Sequence, residues 1–121
     1  MIDNRRGEMF ELIYYRTSEG KCPIEEYLDE LDAKAFNAVS RAFEALRQNG
    51  PKLRRPISGS LGDGLFELRV DDRSNARRVI YFFMQGEQAI LTNGFNKKTN
   101  KTPRQEIERA KRYREDHLKR H

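Results

Sequence analysis

Three strand-like segments, Leu65 to Asp71, Arg77 to Met84 and Gln88 to Phe95, are separated only by Asp72 to Ala76 and Gln85 to Glu87. Links this short constrain the fold more than any other feature of the chain. A parallel pair needs a crossover of about a dozen residues or more, so the three segments must run antiparallel as a meander. In the first segment Phe66, Leu68 and Val70 alternate with Glu67 and Arg69. Because strand side chains point to opposite faces in turn, the apolar set faces a core, and Glu67 and Arg69 become neighbours on the other side. The second segment opens on Arg77 and Arg78, one of which must share that side. Val79 to Met84 is apolar on both faces, so alternation does not choose between the two arginines.

The remaining segments read as one strand, one loop and three helices. Phe10, Leu12 and Tyr14 alternate with Glu11, Ile13 and Tyr15 as a first strand, and Ser18 to Lys21 reads as a turn. Pro23 at a first helical position starts a short helix to about Leu31, with Ile24, Tyr27, Leu28 and Leu31 on one side. Asp32 is placed to cap a second helix, in which Phe36, Val39, Phe43 and Leu46 form one apolar stripe and which Gly50-Pro51 ends. Residues 51 to 64 hold three glycines, two prolines and three basic residues and read as a surface loop. Thr102, Pro103 and Gln105 outline a capping box for a last helix. The expected fold class is therefore α+β: an N-terminal strand, a helical hairpin, a three-stranded antiparallel meander and a C-terminal basic helix. All of it fits one domain over residues 1 to 121, with 1 to 8 and 116 to 121 expected to be flexible.

Composition narrows the function classes. With 121 residues, 36% of them apolar and 36% charged, the chain supports one economical core and no second domain. The longest apolar run, Val79 to Met84, is far below the roughly 20 residues needed to cross a bilayer, and the N-terminus is charged where a signal peptide is apolar. The expectation is a soluble, cytoplasmic protein with no membrane partner. A single cysteine, Cys22, excludes an internal disulfide and a thiolate zinc cluster, and both histidines, His117 and His121, lie in the last five residues. No metal site is expected.

Charge is distributed unevenly. From Lys97 onward there are ten Lys and Arg against four Asp and Glu, whereas residues 1 to 96 carry fourteen against fifteen. The positive excess is thus wholly C-terminal, the footprint of a surface that steers a polyanion such as nucleic acid to one place. Lys97, Lys98 and Lys101 lie between the third segment and the last helix, where free helix N–H groups and three ammonium groups would make a phosphate seat. A plain solvated turn has the same composition. The last helix has a thin apolar edge of Ile107, Ala110 and either Tyr113 or Leu118, with Arg104, Arg109, Lys111, Arg112 and Arg114 around it. That face suits a nucleic-acid backbone, a protein partner or water. Glu67 and Arg69 with Arg77 or Arg78 form either a cross-strand salt bridge on a half-exposed sheet or a functional cluster.

In this order and spacing, LFELRV at Leu65 to Val70, RRVIYFF at Arg77 to Phe83 and GFNKKTNKTPRQEIERAK at Gly94 to Lys111 resemble the HigB-like, phage-derived branch of the RelE/ParE toxin superfamily. The resemblance extends from about Phe10 to Arg114. It implies a RelE-like, microbial-ribonuclease-type fold and the toxin of a type II toxin–antitoxin pair. It further implies an mRNA interferase, a metal-independent endoribonuclease without a small-molecule cofactor that cuts mRNA in the ribosomal A site. Its partners would be that mRNA and a HigA-like helix-turn-helix antitoxin.

Such a reaction needs a base for the 2′-hydroxyl proton, cations for the phosphorane and an acid for the leaving 5′-oxygen. The resemblance assigns Arg69 and Arg78 to phosphate and transition-state stabilisation and Lys97 and Lys98 to the scissile phosphate or its neighbour. Glu67 is then a general base or the group that orients an arginine. Arg77, Lys101, Arg104, Arg109, Lys111 and Arg112 are expected to contact RNA phosphates. RelE itself tends to carry lysine where this chain has Glu67, and its late catalytic tyrosine has no counterpart, since Tyr113 lies well inside the last helix. Two other readings share the resemblance or the charge: a ParE-type gyrase-inhibiting toxin, and a non-catalytic nucleic-acid-binding module.

Overall fold

The structure, a computed structural model, describes residues 9–121, and the polar segment 1 to 8, expected to be flexible, lies outside the described residues. Five strands form one mixed sheet: β1 (Glu11–Tyr14), β2 (Ser58–Gly62), β3 (Leu65–Asp71), β4 (Ala76–Met84) and β5 (Gln88–Lys97), in the spatial order β1-β5-β4-β3-β2. Three helices accompany them: α1 (Pro23–Asp29), α2 (Ala33–Asn49) and α3 (Arg104–Arg120). The antiparallel pairing of β3, β4 and β5 is as their short links require, with Phe66 opposite Tyr81, Arg69 opposite Arg78, and Arg78 opposite Phe95.

The sheet is larger than a three-stranded meander. β1 adds to β5 in parallel, with Glu11 opposite Gln88 and Tyr14 opposite Leu91. β2 pairs antiparallel with β3 inside the stretch read as a loop. Its sequence, SGSLG, has no strand-forming side chain except Leu61, and backbone pairing with β3 makes it a strand. Ser58 also contributes a buried hydroxyl contact, 2.6 Å from the Tyr81 hydroxyl.

Helices cover both faces. On one face α1 lies over β5 and α2 over β3, and Ile24, Tyr27, Val39, Phe43 and Leu46 pack on Leu68, Val79, Tyr81 and Leu91. On the other face α3 packs Ile107, Ala110 and Tyr113 against Leu65, Ile80, Phe82, Ile90 and Phe95. Being covered on both sides, β4 needs apolar residues at consecutive positions, which explains its unbroken run. Asp32 caps α2 by accepting from the Ala35 N–H at 2.8 Å. The buried line of α2 is Ala35, Val39, Ala42, Phe43 and Leu46. Phe36, expected in that stripe, is instead 43% exposed, because the helix is rotated so that the smaller Ala35 faces inward. At the other end Gly50 has φ 54° and a side chain there would collide with the Phe10 ring, so glycine is required twice over.

Residues 116 to 120, expected to be flexible, are placed as the last turns of α3. α3 runs to Arg120, its thin edge continues through buried His117 and not through Leu118, and Tyr15 donates to Asp116 at 2.6 Å. His117 sits edge-on to the rings of Tyr15 and Phe82 and stacks on His121, with Asp116 and Arg120 as its charged neighbours. Burial foremost, then the His121 and Arg120 charges, pushes its pKa below the ordinary 6.5. The unfolded chain therefore takes up this proton first, so stability is full above about pH 6.5 and falls as pH drops below it. Thermal melts from pH 7.5 down to 5.5 should show a decline that is smaller in His117→Leu.

Candidate functional site

The face of the sheet that carries α3 also carries the ionisable cluster. Glu67, Arg69 and Asp71 follow one another on the same side of β3, and Arg78 is the residue of β4 opposite Arg69. Two guanidinium groups placed directly across a ladder repel. Here carboxylates at both flanks offset that repulsion. Arg78 Nη1 donates to Asp71 Oδ1 at 2.5 Å and its Nε lies 3.8 Å from Glu67 Oε2, while Arg69 Nε donates to the same Oε2 at 3.0 Å. Register thus decides between the two arginines that alternation left open, in favour of Arg78.

Glu67 is the centre of the arrangement and is only 2% exposed. Its second oxygen, Oε1, accepts from the Thr102 hydroxyl at 2.6 Å. Thr102 was expected to cap the last helix. The N-cap is instead Pro103, without a side-chain cap bond, because the threonine hydroxyl is used by the buried carboxylate. The first turn of α3 is held to the sheet by Asn93, whose Nδ2 donates to Glu106 Oε1 at 3.0 Å. Thr102 and Asn93 together set the start of α3 and the end of the lysine turn above the cluster. Removing the hydroxyl leaves a buried carboxylate oxygen without its donor. Thr102→Val should lower stability by about 2 kcal/mol in urea titrations, and Thr102→Ser should restore most of it.

The two arginines differ in exposure and in engagement. Arg78 is 5% exposed and its Nε, though near Glu67, has no hydrogen-bond partner. The Arg69 side chain is about a third open, and among the described residues its one side-chain hydrogen bond is from Nε, which leaves the donors of both Nη groups uncommitted. Chemically this is a cationic site whose floor is Arg78, whose accessible fork is Arg69 and whose geometry is held by one buried acid.

The other expected residues divide. Lys97 ends β5 two residues beyond Phe95 and so shares the face of Arg78, and its Nζ donates to the Asn100 carbonyl at 3.0 Å. Lys98 and Lys101 are exposed on the turn, with Lys101 next to Thr102. Arg104, Arg109 and Arg112 line one shallow groove along α3 with Pro103, Gln105 and Glu108.

Two of the expected residues lie apart from the cluster. Arg77 points to the opposite face, where its Nη1 donates to Asp72 at 2.8 Å, a bond that with the Ser74 N–H holds the Asp72 carboxyl down at about 2. It cannot join Arg69 and Arg78, since neighbours on a strand face opposite ways. Lys111 is turned away from the α3 groove toward Asp63, at 3.9 Å, where Arg114 also pairs with Asp63 at 3.0 Å.

Sequence reasoning missed Asp71, Thr102 and Gly59, which lies beside Arg69. Asp71 was legible, because it continues the alternation of Glu67 and Arg69 by one step. Thr102 and Gly59 come from segments whose contacts with β3 have no local signal. Among the described residues no group of three or more His, Cys, Asp and Glu is arranged to hold a metal ion, and no helix is long and apolar enough to cross a membrane.

The elements and the cluster define an α+β domain with two arginines gathered on a buried acid beside a lysine-rich turn. Residues 26–115 match the family described as phage derived protein Gp49-like (DUF891). The match covers well over half of the chain, and the chain belongs to this family, a phage-derived group related to the RelE/HigB-like proteins of toxin–antitoxin systems. No curated protein matches it.

Proposed function

We propose that this chain is the toxin of a type II toxin–antitoxin pair, of the HigB-like branch, and that it acts as a metal-independent endoribonuclease on mRNA in the ribosomal A site. One observation carries the reading: Arg69 and Arg78, from adjacent strands, converge on Glu67 at the foot of the lysine turn. A phosphodiester seated against Arg69 Nη groups, with Lys97, Lys98 and Lys101 beside it, would have cations placed where the phosphorane gains charge. The 2′-hydroxyl oxygen attacks phosphorus as its proton passes to water, the bond to the 5′-oxygen breaks as that oxygen takes a proton from water, and the products are a 2′,3′-cyclic phosphate and a 5′-hydroxyl. Both oxygens of Glu67 are engaged and buried, which favours the orienting role over that of general base. Arg104, Arg109 and Arg112 then track neighbouring phosphates along α3. A HigA-like antitoxin is the expected partner.

Primer extension on mRNA after brief induction of the protein tests this reading. Discrete cuts within translated frames are expected. Intact message together with supercoiling defects would replace it with gyrase inhibition, and intact message with normal supercoiling would leave a non-catalytic nucleic-acid-binding module.

A further inference from the structure

We propose that Gly59, on the edge strand β2, is a positioning residue for Arg69, and that the missing side chain at this position is a slot for the guanidinium group. The proposal rests on the ribonuclease reading for its consequence in activity, though not for its geometry. Gly59 stands opposite Glu67 in the β2–β3 ladder, so a side chain there would rise on the face that carries the cluster. A β-carbon built at Gly59 would lie 2.2 Å from Arg69 Nη2, 2.6 Å from its Cζ and 3.2 Å from its Nε. These are overlaps, so even one methyl group and the observed guanidinium cannot coexist.

The backbone does not explain this glycine. Among the described residues five other glycines have positive φ, but Gly59 does not, and it pairs regularly in its strand. Glycine within a strand weakens it and commonly marks a close approach by another group. Here the approaching group is the end of a long, partly exposed side chain that can swing into water. An added methyl would therefore displace Arg69 at little cost to the fold, and alanine suits a strand better than glycine does. What would be lost is the Arg69 Nε bond to Glu67 Oε2, which aims the two Nη groups. Ser58 and Ser60, on either side, face the other way, so the slot belongs to Gly59 alone within β2.

The test compares wild type, Gly59→Ala, Arg69→Ala and the double variant in the full chain. The Arg69 Nε–H resonance, followed by NMR, should exchange with water slowly in wild type. In Gly59→Ala it should exchange as fast as that of exposed Arg112, while the urea midpoint is unchanged or higher. Single-turnover cleavage on programmed ribosomes should fall on the order of 100-fold in Gly59→Ala at saturating ribosome, because the fork is misplaced. The double variant should be no slower than Arg69→Ala. An Arg69 Nε–H as protected in Gly59→Ala as in wild type would overturn the proposal, and so would losses that multiply in the double variant. If wild type cleaves no RNA, the ribonuclease reading fails, and the exchange measurement still decides whether Gly59 holds Arg69.

Discussion

Arg69→Ala is expected to slow mRNA cleavage by about a hundredfold or more, the effect of removing one preorganised donor from a transition state that gains negative charge. Stability should change by no more than about 1 kcal/mol, because the Arg69 side chain is partly solvated and Glu67 keeps Thr102 and Arg78 as neighbours. Arg69→Lys should recover little, since an ammonium group lacks the planar fork that Nε fixes on Glu67 while the Nη donors stay uncommitted. Cleavage rates on programmed ribosomes and urea midpoints, measured on the same preparations, decide the matter. An Arg69→Ala protein that cleaves at the wild-type rate would remove this residue from the site.

Glu67→Gln should have the largest effect on stability. The glutamine keeps the shape and can still accept from Thr102, but it removes the negative charge between two guanidinium groups placed across one ladder. Arg78, nearly buried, would retain the Arg77 carbonyl and, as its carboxylate partner, the exposed Asp71. Breaking a buried ion pair on one side costs about 3–5 kcal/mol, which is a large part of the stability of a domain this size. Because the acid that would act in cleavage is the same one that holds both arginines, a lower urea midpoint and lost cleavage are expected together.

Much of this site could be read locally. Glu67 and Arg69 share a face through the two-residue period of a strand, and the short links on either side of β4 force the antiparallel neighbours that bring Arg78 opposite Arg69. The start at Pro23, the cap at Asp32 and the stop at Gly50 follow from the chemistry of those residues. Phe36 and Thr102 were misread for one reason. A stripe or a capping box describes what a segment can do alone, and tertiary partners reassigned both, by rotating α2 onto Ala35 and by drawing the Thr102 hydroxyl to Glu67.

β2 shows the same limit more strongly. SGSLG has the composition of a loop, and only the free edge of β3 makes it a strand. Gly59 therefore carried no signal until its backbone was seen opposite Glu67. The chain alone determined the α+β class, the antiparallel centre, the shared face of Glu67 and Arg69 and the C-terminal excess of charge, because each depends on periodicity, link length or composition. Tertiary structure decided that Arg78 and not Arg77 completes the cluster, that Thr102 closes it and that Gly59 makes room for it. Those choices depend on strand register and on contacts between residues far apart in sequence, which no local pattern encodes.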